Sequence, residues 1–444
     1  LKTDITLKHI NKLAIPALIA GVAEPILSLT DTAIIGNVDY HAAESLAAVG
    51  IVGSFISMLI WVLGQSRSAI SSIVSQHLGA NQLDKVKNLP AQAIYIITSI
   101  SVLIIISTWP FASQIFKLYN ASNLILEYSV DYYQIRVFGF PFTLFTIAIF
   151  GTFRGLQNTF YPMIIAIIGT IVNVVLDIAL VYGIEGVINP MHIKGAAYAS
   201  VIAQITMAIC SAYFLLKKTN ISLRLTLPFN SEIRNFTLMI FNLFVRTLAL
   251  NATLYFATRF ATSYGTEYIA AYTIAINLWF LGAFIIDGYA SAGNILSGKY
   301  FGAKNYKKLV ELSQFLIKCG IGVGFILTVL GLISYNYVGA IFTQDQRVLN
   351  EFYKIFWIVL AMQPLCALAF IFDGMFKGMG KMKFLRNLLL LSTGLVFIPI
   401  LFLLDSYNLK LYAVFIALTL WIIARGFPLI IKFRQLFLPR VQKT

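Results

Sequence analysis

Apolar runs of about twenty residues, separated by short polar connections, recur along the whole chain. A bilayer's hydrocarbon core is about 30 Å thick and an α-helix rises about 1.5 Å per residue, so each run is long enough to cross as one helix. The pattern predicts twelve crossings. In the first half they cover 13–36, 46–75, 91–110, 124–153, 161–182 and 195–216; in the second, 236–262, 268–297, 312–334, 351–376, 384–403 and 409–431. Between the halves lies the only long polar connection between runs, KKTNISLRLTLPFNSEIR at 217–234.

A division so nearly central suggests duplication. Sliding one half over the other pairs Glu44 with Glu267, Gly79-Ala80 with Gly302-Ala303 and Pro141 with Pro364, all at an offset of 223 (267 − 44). Gly151-Thr152-Phe153-Arg154-Gly155 falls on Gly374-Met375-Phe376-Lys377-Gly378 at the same offset. Separated matches on one diagonal indicate an internal repeat. The predicted fold is therefore an all-α membrane protein of twelve transmembrane helices in two six-helix repeats: an N-lobe at 1–216 (helices 1–6), a cytoplasmic linker at 217–234 and a C-lobe at 235–444 (helices 7–12). An even number of helices per repeat makes the repeats parallel, with the working cavity expected where they meet.

Composition agrees with a polytopic membrane protein: 59% of residues are hydrophobic and 11% charged, against about 25% charged in ordinary soluble domains. The net charge of +15 does not point to nucleic acid, because the basic residues lie between apolar runs and not on a polar folded face. They concentrate on alternate connections. Lys2, Lys8, Lys12, Lys85, Lys87, Lys217, Lys218, Arg224, Arg234, Lys304, Lys307, Lys308, Lys381, Lys383, Arg386 and the tail from Lys432 fall on one side, and chiefly Lys117, Lys194, Arg347 and Lys410 on the other. The positive-inside rule then places both termini in the cytoplasm, with the chain a multi-pass protein of the plasma (inner) membrane. The N-terminal LKTDITLKHINK shows no small-residue cleavage site, so the first apolar run is expected to be kept as a helix.

Candidate chemistry begins with charges at membrane depth. One Asp at the centre of the hydrocarbon costs about 3 kcal/mol on insertion scales, so such a residue calls for a use. Glu24 and Asp31 stand seven residues apart in the first run and share one helical face. Asn173 and Asp177, four apart, reach from one face of the fifth helix, and with Asp31 they form a candidate acidic pocket suited to a proton or to Na⁺. Asp287 and Asp373 are the deep acids of the second half. For each acid the alternative is a structural hydrogen bond or ion pair, with Arg67, Arg246 or Arg259 as partner; Arg246 on the preceding helix is one residue able to neutralise Asp287.

Pro16 and Pro25 each remove a backbone hydrogen bond from the first helix and allow it to bend beside its own carboxylates. Met58, Trp61, Trp279, Phe280 and Trp357 are candidates to line a cavity for flat cationic compounds, or else to pack or face lipid. Cys210, Cys319 and Cys366 lie inside apolar runs without metal-ligand spacing, and His9, His41, His77 and His192 sit at or beyond run ends. No cofactor is expected, and an enzyme would need a clustered nucleophile, metal site or cofactor motif that the sequence does not offer.

With these features in place the sequence resembles the multidrug and toxic compound extrusion (MATE) family. SLTDTAIIGNV resembles that family's first-helix motif, with Asp31 as its acid. VRTLALNATLYFATRFATSYG, DGYASAGNILSGKYFGA, FDGMFKGM and RGLQNTFYP resemble the DinF branch. The resemblance implies a V-shaped pair of six-helix lobes exporting organic cations in exchange for H⁺ or Na⁺. It implies that Asp31 is the coupling acid, that Asn173 and Asp177 belong to the same site, that Ser200 stands where a Thr often contributes, and that Pro16 is the kinking proline.

Two departures stand out: Leu27 replaces a Tyr one turn before the acid, and Glu24 is an acid outside the motif. Both tilt the expected coupling ion toward H⁺. The expectation is a monomeric secondary antiporter with alternating access, its partners a small organic cation and the bilayer. A lipid-linked saccharide flippase of the same superfamily is the alternative.

Overall fold

Each apolar run forms a helix long enough to span a bilayer in the computed structural model, which describes residues 5–36 and 41–441. The side chains of Ala23, Glu24, Ser28, Leu29 and Ala42 are also outside the described set, so the expectation for Glu24 lies beyond it. The spans are α1 (Leu7–Ile35), α2 (Ala43–Gly79), α3 (Leu83–Thr108), α4 (Asn123–Gly155), α5 (Phe160–Val181) and α6 (His192–Lys218). They continue with α7 (Ile233–Ser263), α8 (Thr266–Gly302), α9 (Tyr306–Ile333), α10 (Gln346–Gly378), α11 (Met382–Ser406) and α12 (Leu411–Val441).

Several helices outrun the predicted crossings. The sequence pattern ends the last span at 431, yet α12 continues to Val441. Lys432, Arg434 and Arg440 leave the apolar pattern but are good helix formers with long stems, so the helix persists where hydrophobicity stops.

The interruptions inside spans have local causes. α4 contains a 3-10 turn at Val137–Gly139 just ahead of Pro141, and α11 a π-helical turn at Ser392–Phe397 just ahead of Pro399. In each, the proline lacks the N–H that a regular α-turn would use. Pro364 sits inside α10 and leaves the Leu360 carbonyl without its usual donor four residues on. Thr328 of α9 supplies one, its hydroxyl donating to Leu360 O at 2.8 Å. Gly324 permits that approach, since a Cβ there would lie 2.9 Å from Pro364 Cα.

The helices pack as two units. The first comprises Ile19–Val74 and Gln82–Ile240; the second comprises the residues up to Leu18, Ser75–Asn81 and those from Phe241 on. This division departs from the linear halves at 216 and 235, because α1, α2 and α7 each contribute to both units and 217–234 packs within the first. In the latter segment, Gln92 of α3 donates to Thr226 O at 2.7 Å and accepts from Asn230 N at 2.8 Å.

The repeat is visible in the packing. In the first unit Gly151 lies against Arg67, and Gly155 against Ser71 and Val74. In the second, Gly374 lies against Ala290, and Gly378 against Asn294 and Ser297. Each residue of the second set is 223 positions after its counterpart (290 − 67, 294 − 71, 297 − 74). Within the second unit Gly79 meets Lys299 and Gly302 meets Gln76, a reciprocal contact between equivalent positions. A Cβ at any of these glycines would overlap backbone or a neighbouring side chain.

Candidate functional site

The first unit gathers four helices around Asp31. On α1, Asp31 is 2% exposed; on α5, Asn173 and Asp177 are fully buried; on α6, Ser200 is buried; and on α4, Tyr132 and Arg136 are buried. Gly195 brings the start of α6 against the end of α5, since a Cβ there would lie 2.6 Å from Leu180 O, and Ser200 follows on the next turn and a half.

Asp31 accepts three hydrogen bonds. Ser200 Oγ donates to Oδ2 at 2.7 Å, Tyr132 Oη to Oδ2 at 3.0 Å, and Asn173 Nδ2 to Oδ1 at 3.3 Å. The Asn173 amide also reaches Ser200 Oγ at 3.4 Å. Asp177, on the same face of α5 as Asn173, lies within electrostatic reach of Asp31. Among the described residues neither of its own buried oxygens has a hydrogen-bond partner. The Arg136 guanidinium lies within electrostatic reach of both Asp177 and Tyr132.

A cavity of about 10 Å³, bordered by Asp31, Tyr132, Arg136, Val49, Gly53, Ile56 and Ser57, opens beside the Asp31 carboxylate. That is room for about one water. Two neighbouring carboxyls in a low-dielectric interior cannot both carry charge cheaply, an arrangement that chemically suits uptake of a proton or a small cation.

Asp31, Asn173, Asp177 and Ser200 are thus brought together as the sequence reading expects. Tyr132 and Arg136 were missed. Their spacing of four on one face of α4 was the available signal, obscured because the start of that run also carries Glu127 and Asp131. Asp131 itself pairs with Lys194 at 2.9 Å, both partly exposed. Leu27 itself carries no hydroxyl for this group. The hydroxyl absent at that position is delivered from another helix, while Leu27 is buried against Phe150, Ile165 and Met207. Pro16 and Pro25 lie half-buried along α1.

The second unit holds a different cluster. Asp373 pairs with Arg246 at 2.6 Å and with Lys377 at 2.8 Å. Arg246, which the sequence left able to neutralise Asp287, is thus taken by Asp373: Asp287 is exposed on α8, whereas Asp373 is buried opposite the guanidinium. Trp279 is buried, its Nε1 donating to Cys366 Sγ at 3.2 Å. Met58, Trp61 and Trp357 are exposed, and Phe280 is half-buried. Among the described residues no group of three His, Cys, Asp or Glu side chains forms a metal-binding cluster.

Sequence patterns of the MatE family match residues 16–179 and 240–403, two segments of equal length that begin 224 residues apart. The chain belongs to the MatE family. It is 25% identical over 435 residues to the DNA damage-inducible protein F of Escherichia coli, covering 96% of this chain and 92% of that protein. It is 21% identical to the multidrug export protein MepA of Staphylococcus aureus over 404 residues, covering 90% and 87%. A solved MATE structure in the bent conformation superposes with a TM-score of 0.90 at 20% identity, over 98% of this chain and 97% of that one. The twelve-helix, two-repeat fold is that of MATE transporters, and family membership makes the protein a multi-pass membrane transporter and not an enzyme.

Proposed function

We propose that the protein is a secondary antiporter that exports amphipathic organic cations in exchange for H⁺, loaded onto the Asp31/Asp177 pair. The observation carrying this reading is the proximity of two buried carboxyls, one held by three donors and the other without a hydrogen-bond partner among the described residues. Loading the pair removes a charge that is costly in the hydrocarbon, so binding the driving ion shifts the free energy of the surrounding helices. Kinship with a multidrug export protein supports efflux as the direction.

Arg136 favours the proton over Na⁺. Its guanidinium near Asp177 repels a second cation, and the Asn173 amide nitrogen, not its oxygen, is turned to Asp31. A Na⁺ site wants about five or six converging oxygens. The charge pattern of the connections supports cytoplasmic termini in the inner membrane.

Efflux from vesicles, with pH and Na⁺ gradients imposed separately, tests the assignment. An inward pH gradient should drive efflux without Na⁺, and a protonophore should stop it. Efflux that survives collapse of the pH gradient and follows an imposed Na⁺ gradient would overturn proton coupling.

A further inference from the structure

The second unit carries more positive charge at depth than its own acids balance. Arg246 of α7, Lys377 of α10 and Arg425 of α12 all lie within electrostatic reach of Asp373, the one buried acid among them. Asp287 of α8 reaches Lys377 from an exposed position. With three cations against two carboxylates, the cluster keeps a formal excess of one positive charge, and of two where only buried acids are counted. Burying an unbalanced cation is costly enough that such groups mark a ligand or ion path.

The donors point the same way. Asp373 is already engaged by Arg246 and Lys377 through both oxygens. Arg246 keeps a buried Nε with no acceptor among the described residues. Arg425 is 5% exposed, and among those residues its guanidinium has neither hydrogen bond nor ion pair. It is instead placed over two rings, 5.1 Å from the centroid of Phe370 and 4.9 Å from that of Trp421. A guanidinium carries five N–H donors in a plane and matches a carboxylate through two of them. The two ring contacts hold the Arg425 guanidinium in place while leaving its N–H donors for such an acceptor.

From this geometry we propose that Arg425, with Arg246 and Lys377, forms a carboxylate-binding site in the second unit, taking an amphipathic organic anion or zwitterion whose apolar part lies along the half-buried Phe370, Trp421 being fully buried behind the guanidinium. The site shares no residue with the Asp31 group. It deepens the transport reading by extending the cargo to carboxylate-bearing molecules, and only the ligand's role as cargo rests on that reading.

Benzoate binding to the full chain in neutral detergent, measured by titration calorimetry, is the test. Benzoate should bind saturably, and Arg425→Gln should weaken it at least tenfold. Asp373→Asn removes the internal competitor and should tighten it several-fold, a gain that misfolding cannot imitate. Asp31→Asn should leave it unchanged while abolishing ion-driven efflux, which separates failure of this site from failure of the coupling assignment. Absence of saturable binding, an unchanged affinity in Arg425→Gln or a weakened one in Asp373→Asn would overturn the proposal. So would a site that ignores benzoate but binds inorganic phosphate, or one occupied in nanodiscs only when phosphatidylglycerol is present; those results would make it a phosphate or lipid-headgroup site.

Discussion

Tyr132 donates its hydroxyl to Asp31 Oδ2 at 3.0 Å across 101 residues of sequence, joining the start of α4 to the acid of α1. A hydrogen bond to a charged acceptor contributes about 1.5–3 kcal/mol. Tyr132→Phe keeps the ring in its buried position and removes only that donor. Ion-driven efflux should then slow by about tenfold to a hundredfold, since about 1.4 kcal/mol corresponds to a factor of ten, with the amount of inserted protein unchanged. Wild-type efflux rates in this variant would remove Tyr132 from the coupling site.

The two acids should not fail equally. Asp31 organises three donors from three other helices, so Asp31→Asn breaks the constellation as well as the charge and should abolish ion-driven efflux while leaving the protein folded and inserted. Asp177→Asn leaves Asp31 with its donors, and transport should be slowed without being lost. Vesicle efflux rates for the two variants, normalised to protein content, decide the ranking. Equal or greater loss at Asp177 would reverse it.

Much of this was legible in the sequence because hydrophobic length and charge at depth are local signals. The twelve spans, the repeat offset and the grouping of Asp31, Asn173, Asp177 and Ser200 needed only run lengths, spacing on one helical face and a family resemblance. What the sequence hid depends on which helix packs against which. Asp373 and Asp287 are both deep acids on paper, and only packing assigns Arg246 to Asp373 and leaves Asp287 exposed. The duplicated scaffold does not duplicate the chemistry either. Positions 223 after Asp31, Asn173, Asp177 and Ser200 are Leu254, Val396, Ile400 and Ile423. The glycine contacts persist at both sets of positions because close helix approach tolerates no side chain, whereas the polar groups were free to differ.

Those glycines allow a direct test of the packing. At Gly302 a Cβ would collide with the Gln76 backbone, while at Gly50 and Gly322 no atom lies within 4 Å of the position it would take. Gly302→Ala should therefore lower thermal stability in detergent or the yield of folded protein, because backbone must move to admit the methyl group. Gly50→Ala and Gly322→Ala, with open space and better helix propensity, should be neutral or stabilising by up to about 1 kcal/mol. Unfolding midpoints of the three variants give the comparison. A Gly302→Ala protein as stable as the other two would contradict the contact between the ends of α2 and α8.

The charges of the connections predict an orientation that labelling can test. Asn220 lies in the polar connection between α6 and α7, beside Lys217, Lys218 and Arg224, while Tyr407 lies between α11 and α12, where Lys410 is the one nearby basic residue. Basic residues are retained on the cytoplasmic side during insertion, so Asn220 should face the cytoplasm and Tyr407 the exterior. Five crossings, α7 to α11, separate the two positions, and an odd number puts them on opposite faces whatever the absolute orientation. With Cys210, Cys319 and Cys366 replaced by serine or alanine, a single cysteine at Tyr407 should react with a membrane-impermeant maleimide added to intact cells. One at Asn220 should react only when the reagent is given access to the cytoplasmic face. Labelling of both from one side would refute the twelve-span arrangement, and labelling with the sides exchanged would keep the arrangement but invert it.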